Sequence, residues 1–176
     1  CEAVAYWNHS LSASLLASDN LCVHNLVKNA SALQKAEYLP RFCDGSAIGA
    51  LGMTEPGAGS DALGSMATTA RRDGDDYILN GRKLFITNGP IADVLLVYAK
   101  TDLEKKQHGI SSFIVEKNFE GFSVAQKLDK MGWRGSPTGE LVFDNCRVPA
   151  GNLVGAENKG NVVMMSGLDV ERVIGA

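Results

Sequence analysis

A glutamate stands in the apolar run MMSGLDVERVIGA, residues 164–176. On a helix turning about 100° per residue, Glu171 aligns with Met164, Leu168 and Gly175, an apolar stripe. A carboxylate in that setting either snorkels or pairs, or it works as a base. Desolvation raises the pKa of a carboxyl group and so makes it a better proton acceptor near neutral pH. Asn161, Asp169 and Arg172 fall in a different arc, and Asp169 and Arg172, three residues apart, can pair. A second stretch, LGMTEPGAGSD at residues 51–61, is rich in Gly and small polar residues. Such a loop lets backbone N–H groups approach a phosphate or a ring carbonyl closely. It is neither GxGxxG nor a P-loop, and an ordinary turn fits the same residues.

These residues need elements to hold them, and the chain changes texture three times. Residues 1–45 read as helical: Val4, Trp7, Leu11 and Leu15 recur at helical spacing. A helix opens at Ser31 with Gln34 completing a capping box, and it ends near CDG. Residues 46–156 read as a β-domain. Asp73-Gly74 marks a turn, and Asn80-Gly81 within DYILNGRKLFITNG predicts a hairpin. Further strands are expected at 93–100, 110–116, 121–127 and 140–148, a spacing that suggests an antiparallel barrel or sandwich. From about 157 the pattern is helical again. The fold class is therefore α+β: the end of a helical domain, a middle β-domain and the start of a second helical domain.

Composition narrows the function classes. The 176 residues are 45% hydrophobic with a net charge of −3, which gives no electrostatic reason to expect nucleic acid or an anionic membrane as partner. No apolar run reaches the roughly 18 residues of a membrane span. Cys1, Cys22, Cys43 and Cys146 form no CxxC pair and no metal-ligand spacing, so they read as free buried thiols and no metal site is expected. Both ends read as interrupted helix, which suggests an internal segment of a longer protein.

Three motifs in order, MTEPGAGSD, LNGRKLFITNG and KLDKMGWRGSPTGELVFDNCRVP, resemble the acyl-CoA dehydrogenase family, and the resemblance runs the length of the chain. DNLCVHNLV, QKAEYLP, ADVLLVYAKTDL and MSGLDVER are similar to its branched-chain members. The resemblance implies FAD as cofactor, a short branched acyl-CoA such as isovaleryl-CoA as substrate (giving 3-methylcrotonyl-CoA, in leucine catabolism), and an electron-transfer flavoprotein as acceptor. It also implies a homotetramer, in the mitochondrial matrix of a eukaryote and otherwise in the cytoplasm.

Carried over residue by residue, the resemblance puts Leu51, Met53, Thr54, Gly59, Ser60, Phe85, Ile86 and Thr87 at cofactor-binding positions. Ser60, Gln107, His108, Val162, Asp169 and Arg172 match substrate-contact positions, and Glu171 matches the catalytic base that these members carry on this helix. Phe85 stands where the family usually has Trp, and Val162 where the branched-chain members have Tyr. The loop EKKQHG is shorter than usual, and His108 also reads as a solvated loop residue.

Other residues take plainer roles. Glu55 is expected to shape its loop through bonds to backbone. Trp133 and Arg134 could stack, though a structural turn is favoured; His24 reads as a core or cap residue, and Lys127 and Lys130 as solvated charges. Two alternatives stay open: a flavin oxidase acting on acyl-CoA or a nitroalkane, and a non-catalytic, incomplete segment that binds FAD poorly.

Overall fold

The computed structural model describes the backbone of residues 2–174 and the side chains of residues 2–168. Helices α1 (Glu2–Trp7), α2 (His9–Leu16), α3 (His24–Asn29) and α4 (Ala32–Cys43) come first. Between α2 and α3 the chain widens into a π-helical stretch, Ala17–Val23. Such stretches occur mostly as single-turn insertions, frequently at functional sites. Helix α4 carries the expected capping box: Ser31 Oγ accepts from Gln34 N, and Gln34 Oε1 accepts from Ser31 N. The apolar spacing over Val4–Leu15 does mark helices, but Trp7, Leu11 and Leu15 are exposed among the described residues.

Eight strands follow: β1 (Gly49–Gly52), β2 (Thr69–Asp73), β3 (Asp76–Thr87), β4 (Val94–Lys100), β5 (Ile110–Glu116), β6 (Phe122–Lys127), β7 (Thr138–Pro149) and β8 (Leu153–Val154). Short helix α5 (Ala62–Ser65) lies between β1 and β2, and α6 (Gly160–Ile174) comes after the strands. The sheet order is β6-β7-β3-β2-β4-β5-β8. Most pairings are antiparallel, but β1 runs parallel to β4, and β2 meets β4 in parallel at Thr69 and Lys100. The two halves of the sheet thus join at one narrow contact and face each other. Tyr77 of β3 packs on Phe113 of β5 with ring centroids 4.9 Å apart, inside a core that includes Leu79, Leu95, Val97, Leu141 and Phe143.

Strand β4 explains the order of layers. Leu95, Val97 and Ala99 enter the core between the two half-sheets, while Val94, Leu96 and Tyr98 enter a second core beneath the helices, with Cys22, Leu26, Val163 and Met164. A strand buried on both faces reads as a continuous apolar run, as VLLVYA does. Helix α6 packs on α3, on the π-helical stretch and on β5. Lys28 Nζ donates to Ser166 O and Asn29 Nδ2 to Ser166 Oγ. Gly167 lies flat against Asn25, where a Cβ would come within 2.3 Å of the Asn25 amide nitrogen.

Three sequence expectations need correction. Asn80-Gly81 is not a hairpin: β3 runs straight through it. The turn chemistry goes instead into the facing strand, where β7 carries an extra residue at Asn145, φ +50°. The Asn80 side chain accepts from Asn145 N (2.9 Å), and Thr68 stands against the bare α-carbon of Gly81, φ +151°. The hairpin turn is at Gly74, φ +62°, with Asp73 paired to Asp76.

Lys130 is not a solvated charge, since its Nζ donates to Ser136 O (2.6 Å) and Thr138 Oγ1 (2.8 Å). Arg134 pairs with Asp129 at 2.6 Å and not with the exposed Trp133, while the loop around them abuts α2 through Ser136 and Ser14. Cys22 and Cys146 are buried, and burial pushes both thiols up to about 12, but Cys43 is exposed.

Candidate active site

A cavity of about 180 Å³ opens where β1 and β3 end beneath the π-helical stretch. One wall is Leu51, Met53 and Thr54, a second is Phe85, Ile86 and Thr87, and the third is Ala17 and Leu21. Six residues singled out in the sequence thus converge from segments some thirty residues apart.

Two local devices build these walls. Leu84 N donates to Thr54 O at 2.9 Å, tying the loop after β1 to β3. At that point β3 carries an extra residue relative to β7, and the strand register shifts between Lys83 and Ile86. The bulge puts Phe85 at φ +61°, and its side chain is 63% exposed. A bulky residue in left-handed backbone is an outlier that costs about 1–2 kcal/mol and persists where the surroundings over-determine it. An aromatic held out of the core at such a cost is an aromatic wall facing the cavity. Asn88, also left-handed at φ +63°, donates to both Ser14 O and Gly49 O and so fixes α2 against β1.

Behind the cavity lies an ion pair. Lys83 is 0% exposed, directly opposite Leu141 in the ladder, with Nζ 2.8 Å from Glu55 Oε1 and 3.2 Å from Met53 O. Glu55 accepts further from Ala67 N (2.6 Å) and Thr68 N (3.0 Å), the loop-shaping role expected of it. Burial lowers the Lys83 ammonium from 10.5 to about 8, against the pull of Glu55. Burial is the largest single influence on the Glu55 carboxylate and works to raise it, but Lys83 together with the Thr68 and Ala67 N–H groups outweighs it and holds that group below its ordinary value.

The acyl-CoA dehydrogenase middle-domain pattern matches residues 50–146, the β-domain that forms two of these walls. The chain belongs to the acyl-CoA dehydrogenase family. It is 53% identical over 175 residues to the mitochondrial isovaleryl-CoA dehydrogenase of Pongo abelii, covering 98% of this chain and 41% of that protein. Butyryl-CoA dehydrogenase from Megasphaera elsdenii superposes with a TM-score of 0.93 at 42% identity, over 97% of this chain and 44% of the other. A chain solved in work on the electron transferring flavoprotein of Acidaminococcus fermentans gives 0.91 at 44% identity, over 93% of this chain and 43% of the other. The chain thus spans about two-fifths of the length of the relatives it matches.

Acyl-CoA dehydrogenases are FAD flavoproteins, and the cavity has the features a flavin ring needs. Its lining is apolar at Leu21, Leu51 and Phe85, and Thr54 and Thr87 add hydroxyl-bearing side chains. Those hydroxyls bond to no other group among the described residues, which leaves them free for ring heteroatoms. Beyond Thr54 the loop leaves open space over Gly59, where a Cβ would meet nothing within 4 Å.

The remaining candidates among the described residues do not line the cavity. Gly59 and Ser60 are exposed on the loop before α5. Gln107 and His108 are exposed on a short 3₁₀ turn, Lys106–Gly109, that touches both α5 and α6. Val162 is exposed in the first turn of α6. Asp169, Glu171 and Arg172 belong to α6, but their side chains lie outside the described residues.

Sequence reading missed three contributors: Ala17, Leu21 and Lys83. The first two sit on a π-helical stretch that a 3.6-residue period cannot register. Lys83 carried a signal, because counting by twos from Tyr77 and Leu79 puts it on the inward face.

Proposed function

We propose that the intact protein oxidises a short branched acyl-CoA, isovaleryl-CoA, to its α,β-unsaturated product, 3-methylcrotonyl-CoA. The reading rests on the cavity that brings Leu51, Met53 and Thr54 beside Phe85, Ile86 and Thr87 at the strained β3 bulge, together with the kinship to isovaleryl-CoA dehydrogenases. Residues 1–45, 46–156 and 157–176 then form the end of one helical domain, a cofactor-binding β-domain and the start of a second helical domain.

The roles follow from the chemistry. Glu171 takes the proton next to the thioester carbonyl, which the thioester acidifies. Bound FAD supplies the acceptor for the hydride leaving the neighbouring carbon. Phe85 and Leu51 shield the reacting carbons from water, which strengthens each polar contact there. Thr54 and Thr87 donate to the ring edge where negative charge grows. Gly59 and Ser60 lie toward the cofactor's phosphates and the acyl-CoA arm. Gln107, His108, Val162, Asp169 and Arg172 line the path of that arm. Electrons leave to an electron-transfer flavoprotein, and the working unit is a homotetramer. A eukaryotic protein of this kind works in the mitochondrial matrix and a bacterial one in the cytoplasm.

The test uses the full-length protein without oxygen. Added isovaleryl-CoA is expected to bleach the flavin, and a Glu171→Gln variant to bind the substrate but bleach at least about a hundredfold more slowly. A Glu171→Gln variant that bleaches at the parental rate removes Glu171 from the mechanism. Peroxide formed in air at the rate of substrate loss makes the enzyme an oxidase.

A further inference from the structure

The ion pair behind the cavity does more than fill the core. Lys83 and Glu55 join three separate pieces of chain: the middle of β3, the loop carrying Met53 and Thr54, and the α5–β2 junction at Ala67 and Thr68. The Met53 carbonyl is held at 3.2 Å by an ammonium that has no exposed surface. Met53 and its neighbour Thr54 both line the cavity, and Thr54 in turn bonds the Phe85 bulge through Leu84 N.

Stability alone does not account for such a pair. Two buried charges are costly to desolvate, and well-packed apolar residues in their place are often as stable or more so. What an apolar pair cannot do is hold a backbone carbonyl and two backbone N–H groups at fixed positions.

We infer that Lys83 and Glu55 are positioning residues for the cofactor, fixing the Met53–Thr54 wall at the geometry that a flavin ring requires. The inference rests on the functional reading that this cavity receives FAD. It asks nothing of the catalytic base and is tested through binding and spectra.

Two variants of the full-length protein separate positioning from folding. Lys83→Met removes the ammonium and leaves Glu55 buried without a counter-charge. The double variant Lys83→Met with Glu55→Gln removes both charges, keeps an oxygen for one of the Ala67 and Thr68 N–H groups, and is expected to unfold at a temperature between those of Lys83→Met and the parent.

The readouts are the FAD dissociation constant, the visible spectrum of bound flavin and hydrogen exchange at residues 53–68 in the flavin-free protein. Both variants are expected to bind FAD roughly tenfold to a hundredfold more weakly, the loss expected of one charge-assisted hydrogen bond. A shifted flavin spectrum and faster exchange in that loop are expected alongside. A double variant that folds and binds FAD with parental affinity and spectrum makes the pair purely structural and overturns the inference. A parental protein that carries no flavin overturns the functional reading, and this inference with it.

Discussion

One ladder, between β3 and β7, holds two irregularities of opposite origin. At Asn145 the extra residue is on β7, and at Phe85 it is on β3, so the second restores the register that the first displaces. Both residues are left-handed, at φ +50° and φ +61°. Asn tolerates that conformation and here bonds Asn80 across the ladder, and Gly81 beside it has no Cβ to clash. The first bulge is therefore built of residues suited to it. The second places an aromatic where the backbone disfavours one and leaves its ring exposed. Two bulges in one strand pair thus differ in purpose: one shapes the sheet, and the other presents a side chain.

That contrast can be broken in graded steps. Glu55→Gln should have the largest effect. It strips the counter-charge from Lys83, just below the Phe85 bulge, and should lower stability by about 3–5 kcal/mol near neutral pH, read from urea midpoints. The deficit should narrow in acid. The Glu55 carboxyl titrates below its ordinary 4.5 in the folded chain, so its contribution is complete above that pH and is lost as the pH falls through the lower folded value. A deficit that stays constant below pH 4.5 would exclude this coupling.

Gly81→Ala comes next. Its Cβ would lie 2.5 Å from Thr68 Oγ1 and 2.7 Å from the Thr68 α-carbon, in a backbone conformation that L side chains rarely adopt. A loss of about 2–3 kcal/mol is expected, with parental flavin affinity in whatever fraction folds.

Phe85→Gly should have the smallest effect on the fold and the opposite sign. Relief of the left-handed strain offsets the loss of a mostly exposed ring, so stability should hold or rise by up to about 1 kcal/mol while FAD binding weakens. If Phe85→Gly destabilises the fold as Gly81→Ala does, the two bulges are of one kind.

Much of the architecture could be read from local chemistry. Ser31 and Gln34 mark their helix start because the reciprocal bonds close within four residues. The Gly74 turn and the two-sided burial of VLLVYA are equally local. Asn80-Gly81 misled because the same dipeptide that closes a hairpin also suits a strand lying opposite a bulge, and only the partner strand decides between them. The Phe85 wall was legible through family likeness alone: FIT carries no mark of left-handed backbone, which arises from the register against β7. For Lys83 the strand alternation points inward, but its partner Glu55 lies 28 residues away and is brought beside it only by the fold.

The bare face of Gly167 against Asn25 also fixes how α6 sits on α3. Larger residues permit helices to slide or roll over one another by small amounts, but a glycine seated on a side-chain amide works as an index mark. Moving α6 by a single position would bring Ser166 or Leu168 to the notch, rotating the helix by about 100° and shifting it by about 1.5 Å. Glu171 lies four residues on, little more than one turn. The register of α6 against α3 is therefore set by the absence of a single methyl group at position 167.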